Sequence, residues 1–181
     1  MSGWRGAATQ RIAYALFATG LMLGGIVSAI TLWLISGIAD PLSLEARFAL
    51  FASIGVAALL RDVHVISFPI PQRAQQIPRT VFERGLALAA VQFGFELGTG
   101  ARTHVTATTP YIVAAAIVLH FTGFYDAVAV GVGFGIGRAL MPSVRALSGT
   151  NERWDTALRQ RIGWLVPVAS GSCIVGVAVL I

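Results

Sequence analysis

Lysine is absent from this chain and cysteine nearly so, with Cys173 alone among 181 residues. Without lysine there is no Walker A loop, whose phosphate contacts need that side chain. A single cysteine forms neither an internal disulfide nor a Cys-x-x-Cys redox pair, so Cys173 is expected to fill space in the last apolar run. The three histidines, His64, His104 and His120, are too far apart for any metal-ligand spacing. No metal and no other cofactor is expected. Charge is scarce too: 12% of residues are charged, whereas a soluble domain carries about a quarter.

What fills the chain instead is apolar. Hydrophobic residues make up 56% of it, with a mean hydropathy of +0.76. The net charge of +5 is carried by arginine alone. A nucleic-acid binder clusters its arginines on polar segments with interleaved aromatics. Here they stand mostly at the ends of apolar runs, where they anchor in headgroups. The expected partner is therefore the lipid bilayer, not nucleic acid.

Six apolar runs are legible. Residues 12–38 form the first, preceded by Arg5 and Arg11 and containing Gly20, Gly24 and Gly25. It is far longer than the h-region of a signal peptide, about 7 to 15 residues, and is read as a span. The second, 42–60, ends on Arg61 and Asp62, with Glu45 and Arg47 near an interface. Residues 61–79, with Pro69, Pro71 and Pro78, read as an interfacial loop, because three prolines in ten residues break a helix. Thr80 and Glu83 have capping-box spacing, so a third helix is expected over 80–101.

Thr109 and Pro110, a capping residue followed by proline, open a fourth run, 109–122. The fifth, 127–141, is short, dense in glycine and expected to stop at Pro142. Residues 142–161 read as an interfacial loop with an amphipathic helix around Trp154 and Leu158, and 162–181 as the last span. The pattern predicts one all-α, polytopic transmembrane domain over 1–181, multi-pass in the cell (inner) membrane, with no separate soluble domain. Arginines fall on both sides of a six-span topology with a cytoplasmic N-terminus, so either one segment, the fifth foremost, is re-entrant or the N-terminus lies on the other side.

The stretch "VQFGFELGTGARTHVT", 91–106, places a carboxylate inside this hydrophobic chain. On a helical wheel, Gln92, Glu96, Thr99 and Thr103 fall at i, i+4, i+7 and i+11, a single polar stripe. Gly94 and Gly98 belong to a small-residue ridge on the opposite side, the kind that lets helices approach closely in lipid. "GFELG", 94–98, recurs as "GFGIG", 133–137, followed at once by Arg138, so Gly133 and Gly137 are also read as packing positions. Arg102 and Arg138 are the candidate cations for Glu96, although Arg102, six positions on and 240° around the helix, faces it only if the helix unwinds at Gly98-Thr99-Gly100. A charge at that depth costs a few kcal/mol unless paired, protonated or wetted, so Glu96 is read either as a hydrogen-bonding group that holds helices together, as part of a substrate, ion or proton route, or as a catalytic acid or base.

The glycine-rich apolar segment, the proline-rich loop, the "GFELGTGART" helix and the "GFGIGRALMP" helix, mostly within 72–142, resemble the DsbD-like cytochrome c biogenesis and thiol–disulfide transmembrane family. Within that likeness the chain is similar to a set of membrane proteins from high-GC bacteria. The resemblance implies a small bundle with broken, glycine-rich helices. It does not bring that family's electron transfer, which needs a cysteine pair. The sequence thus predicts a transporter-like, non-enzymatic protein handling a small solute or ion through Gln92, Glu96, Thr99, Thr103, Arg102 and Arg138. The alternative is a non-catalytic subunit that assembles with a second copy or a larger membrane protein through its small-residue faces.

Overall fold

The computed structural model describes residues 7–69, 85–100, 107–120, 123–147 and 151–180. All regular structure among them is helical: α1 (Ala7–Ile35), α2 (Leu44–Asp62), α3 (Leu86–Gly98), α4 (Thr109–Leu119), α5 (Phe124–Leu147) and α6 (Asn151–Leu180), with a 3-10 turn, Ser36–Ala39, following α1. Three stretches are long and apolar enough to cross a membrane: Arg11–Ala39, Phe124–Val144 and Thr156–Val179. Large apolar side chains along them stand exposed, among them Leu34, Leu140, Val168 and Val179. Contiguous apolar surface of this kind is what lipid covers, and the chain is a membrane protein.

The other helices fall short of that test for physical reasons. With thirteen and eleven residues, α3 and α4 reach about 20 and 16 Å, against a hydrocarbon core of roughly 30 Å. The nineteen residues of α2 include Glu45, Arg47, Arg61 and Asp62. Helix boundaries also move. Gly85, at φ 96° and ψ 147°, is not helical, so α3 starts at Leu86 and not at Thr80, which lies outside the described residues with Glu83, Pro71 and Pro78.

Pro142 does not stop α5, which runs through it to Leu147. Proline leaves the carbonyl four residues back without its amide, and such gaps are tolerated in membrane helices when nearby hydroxyls serve the backbone. Here the carbonyl left open by Pro142 is that of Arg138, and the hydroxyl of Ser143 donates to its neighbour, the Ala139 carbonyl, at 2.7 Å. The stretch expected as an interfacial loop, 142–161, is instead mostly the end of α5 and the start of α6. The latter is one helix of thirty residues, so the segment around Leu158 continues directly into the apolar run.

The chain folds as two compact units. One comprises Met1–Ser28, Gln72–His104 and Val128–Leu147. In it α1 packs on α3 through two facing Gly-x-x-x-Gly pairs. A Cβ on Gly20 or Gly24 would strike the α3 backbone at Val91, Phe95 and Thr99, and one on Gly94 or Gly98 would strike the α1 backbone at Phe17 and Leu21. Leu21, 1% exposed, is the hub of this contact. On α5, the same role falls to Gly131 and Gly135, which meet Gly25 and the Leu21–Met22 backbone. A Cβ at Gly133 or Gly137 meets nothing within 4 Å. The close contact on this helix thus lies two residues from the expected pair, and two residues is about 200° of rotation.

The second unit comprises Ala29–Pro71, Val105–Ala127 and Ser148–Ile181. There α2, α4 and α6 pack on one another around Phe51, Ala58, Ile112, Ala116 and Leu119, with Cys173 and Ile174 against them. Ser43 caps α2 by accepting from the Ala46 amide at 3.2 Å. The far end of α2 closes with His64 at φ 61°. Its amide donates to the Arg61 carbonyl and that of Val65 to the Leu60 carbonyl, both at 2.9 Å. This is a Schellman ending, which glycine usually occupies.

Candidate functional site

The polar stripe read from the sequence is present on α3 as far as the helix goes. Gln92 Nε2 donates to Glu96 Oε1 at 3.3 Å, one turn apart. Thr99 Oγ1 donates to the Glu96 carbonyl at 2.8 Å, and Ser28 Oγ of α1 donates to the Thr99 carbonyl at 3.0 Å. All three stripe residues are partly buried. The helix ends at Gly98, with Gly100 at φ 68°, three residues before the expected end at Ala101. The stripe's helical register therefore stops before Thr103, which lies outside the described residues together with Arg102.

This shortening changes what Glu96 is. It stands in the last turn of a short helix, where the macrodipole is negative and a carboxylate is disfavoured. A carboxylate added to that end makes a locus that favours a cation. Arg138 is not drawn to it: its guanidinium lies over the Phe134 ring, 5.7 Å from the centroid and one turn away on α5. That arrangement holds the charge by cation–π attraction within its own helix.

A second polar centre was not singled out by the sequence. Asp62, the last residue of α2, is 4% exposed, and the residues around it are sealed as tightly: Thr108 is 2% exposed and Ser170 0%. The Thr108 amide reaches both carboxylate oxygens, at 3.2 and 3.1 Å. Thr108 Oγ1 donates to Oδ2 at 2.7 Å and Ser170 Oγ donates to it at 2.6 Å. Thr109 Oγ1 lies 3.1 Å from Ser170 Oγ, and Arg61 Nη1 lies 3.8 Å from Oδ1. Asp62 thus joins the end of α2 to the start of α4, where the helix dipole is positive, and to the middle of α6. The only sequence hint was an acid closing an apolar run. Its donors come from 46 and 108 positions away.

His120 is wedged between Phe48 and Phe51, with ring centroids at 5.0 and 5.4 Å. Among the described residues neither of its ring nitrogens has a hydrogen-bond partner. No group of three or more His, Cys, Asp or Glu gathers among the described residues either.

No family model matches the sequence, and no solved structure matches it. The chain is similar to the methylamine utilization protein MauF of Paracoccus versutus, at 30% identity over 141 residues. The match covers 76% of this chain and 51% of that protein, so the chain spans about half the length of the curated relative it resembles.

Proposed function

We propose that this is a multi-pass protein of the inner membrane that passes a small cationic solute, with Glu96 as its binding carboxylate. The observation that carries this reading is the position of Glu96 in the final turn of α3, beside Gln92 and at the negative end of the helix. Discontinuous membrane helices whose C-terminal ends meet a cation are a recurring way to build such sites. The relative's name concerns methylamine utilization. Carried to this chain, it suggests a small protonated amine, whose N–H groups bind a carboxylate through charge-assisted hydrogen bonds. Arg102, Thr103 and Arg138 remain proposed members of the path, and no catalytic residue is assigned.

The test is uptake of labelled methylammonium by vesicles containing the purified protein. Glu96→Gln should slow uptake by about 10- to 100-fold, the worth of one charge-assisted hydrogen bond. Full uptake by that variant, with unchanged pH dependence, would sink the proposal.

A second reading, a non-catalytic subunit joining another copy or a larger membrane protein, draws support from α5. Gly133 and Gly137 have Gly-x-x-x-Gly spacing with open space over both, which suits a further helix in lipid. In that case Gly133→Leu or Gly137→Leu abolishes co-purification in mild detergent while Glu96→Gln leaves it intact. Co-purification that survives both leucine variants counts against this reading.

A further inference from the structure

We propose that Arg138 anchors an anion-binding site at mid-membrane depth, one that takes a small monocarboxylate. The site does not depend on what Glu96 binds. The span Phe124–Val144 holds 21 residues, and Phe134 is its midpoint. The Arg138 guanidinium stands over that ring, 5.7 Å from the centroid. Side chains on a helix lean toward its N-terminus. This one runs back a full turn, toward the middle of the span and away from the nearer end at Val144. A snorkelling arginine does the opposite.

A guanidinium at that depth is costly unless an anion meets it. Residues 11–28 of α1, the helix packed against this part of α5, include no carboxylate. On α3 the carboxylate is Glu96, which accepts from Gln92, while Arg138 is drawn to Phe134 instead. The ring offsets part of the charge but gives no oxygen to the five N–H donors of the guanidinium. An anion is what the position still calls for.

Depth, direction and charge select the ligand. A lipid phosphate stays at the interface, and the side chain points away from the nearer one. A carboxylate on a further membrane helix would approach the open face of Gly133 and Gly137. On a helical wheel Arg138 lies about 120° from that face, and within about 40° of the Gly131 and Gly135 face that meets α1. The side chain is therefore on the inner flank of α5, half-buried against its own unit. One guanidinium balances one negative charge, whereas a dianion such as sulfate brings a second that must be desolvated without a partner. A planar carboxylate matches the guanidinium fork with two parallel N–H···O bonds. A small monocarboxylate meets all of these conditions. Its charge also cancels the repulsion that Arg138 exerts on a cation held at Glu96.

The experiment is infrared difference spectroscopy of the full chain in lipid nanodiscs perfused with isotope-labelled acetate, with circular dichroism to confirm the fold. The carboxylate stretch of bound acetate and a shift of the guanidinium bands should rise together and saturate. Sulfate at the same concentration should give neither. Arg138→Gln should abolish the response. Arg138→Lys, which keeps the charge and loses the fork, should weaken acetate binding by about tenfold or more, and this variant serves if Arg138→Gln does not fold. Octanoate in place of acetate separates the sources: tighter binding marks a carboxylate delivered from the lipid, weaker binding one delivered from water, and either supports the site. The proposal is overturned by an acetate response that survives in Arg138→Gln, a parent-like response in Arg138→Lys, or equal binding of sulfate. It is overturned as well if neither carboxylate binds, including the case where a leucine-rich transmembrane peptide with a central glutamate binds instead. Glu96→Gln should leave the acetate response in place, so failure here and failure of methylammonium uptake are separate results.

Discussion

Asp62 and Glu96 are both carboxylates among apolar helices, and their settings are opposite. Asp62 faces the start of α4 and is surrounded by donors, whereas Glu96 ends its own helix, with the Gln92 amide on one of its oxygens. Removing the first should therefore be a stability event. Asp62→Ala leaves buried hydroxyl and amide donors without their acceptor, at about 1–3 kcal/mol for each group left unpaired, and thermal melts in detergent should fall well below the parent. Asp62→Asn retains part of the hydrogen bonding and should fall less. His64 offers the reverse experiment. Its left-handed backbone, φ 61°, costs a side-chain-bearing residue energy that glycine does not incur. His64→Gly should stabilise the end of α2 by about 0.5–1 kcal/mol, allowing for the entropy glycine loses on folding. A melting temperature that drops would show that the imidazole makes a contact worth more than the strain.

Among elements, the glycines supply the sharpest test. An alanine at Gly94 or Gly98 puts a methyl into the α1 backbone, so the helices must separate. A loss of about 1–3 kcal/mol is expected, as for an overpacked core. At Gly133 and Gly137 the same change meets open space and should be neutral or slightly stabilising, since alanine is the better helix former. If all four alanine variants melt alike, the α1–α3 contact is not as close as described.

This contrast also marks what could be read from the sequence. Gln92, Glu96 and Thr99 were legible because their relation is local, a helical period within seven residues. Which glycines face a neighbour was legible on α3 but not on α5, where Gly131, Gly133, Gly135 and Gly137 form a run with no period of its own. Only the partner helix selects among them. The end of α3 was hinted at by Gly98-Thr99-Gly100, while the continuation of α5 through Pro142 was hidden, because proline usually ends a helix in water and not always in lipid. Asp62 was hidden for the plainest reason, since nothing beside it in the chain announces Ser170.

For the whole molecule, three helices of membrane-crossing length with exposed apolar flanks set the behaviour in solution. Alkaline carbonate washing of membranes should leave the protein in the pellet, and its release would contradict the reading of α1, α5 and α6 as embedded.

The bond between Asp62 and Ser170 closes a loop of 108 positions. During synthesis the acid at the end of α2 is therefore made long before its partner on α6 exists. Until α6 is threaded into the bilayer, the carboxylate at the foot of α2 has its Thr108 donors but lacks the Ser170 hydroxyl. Its burial is completed only when α6 docks. A chain cut short before Ser170 remains visibly unfinished and is expected to be degraded faster than one cut after it.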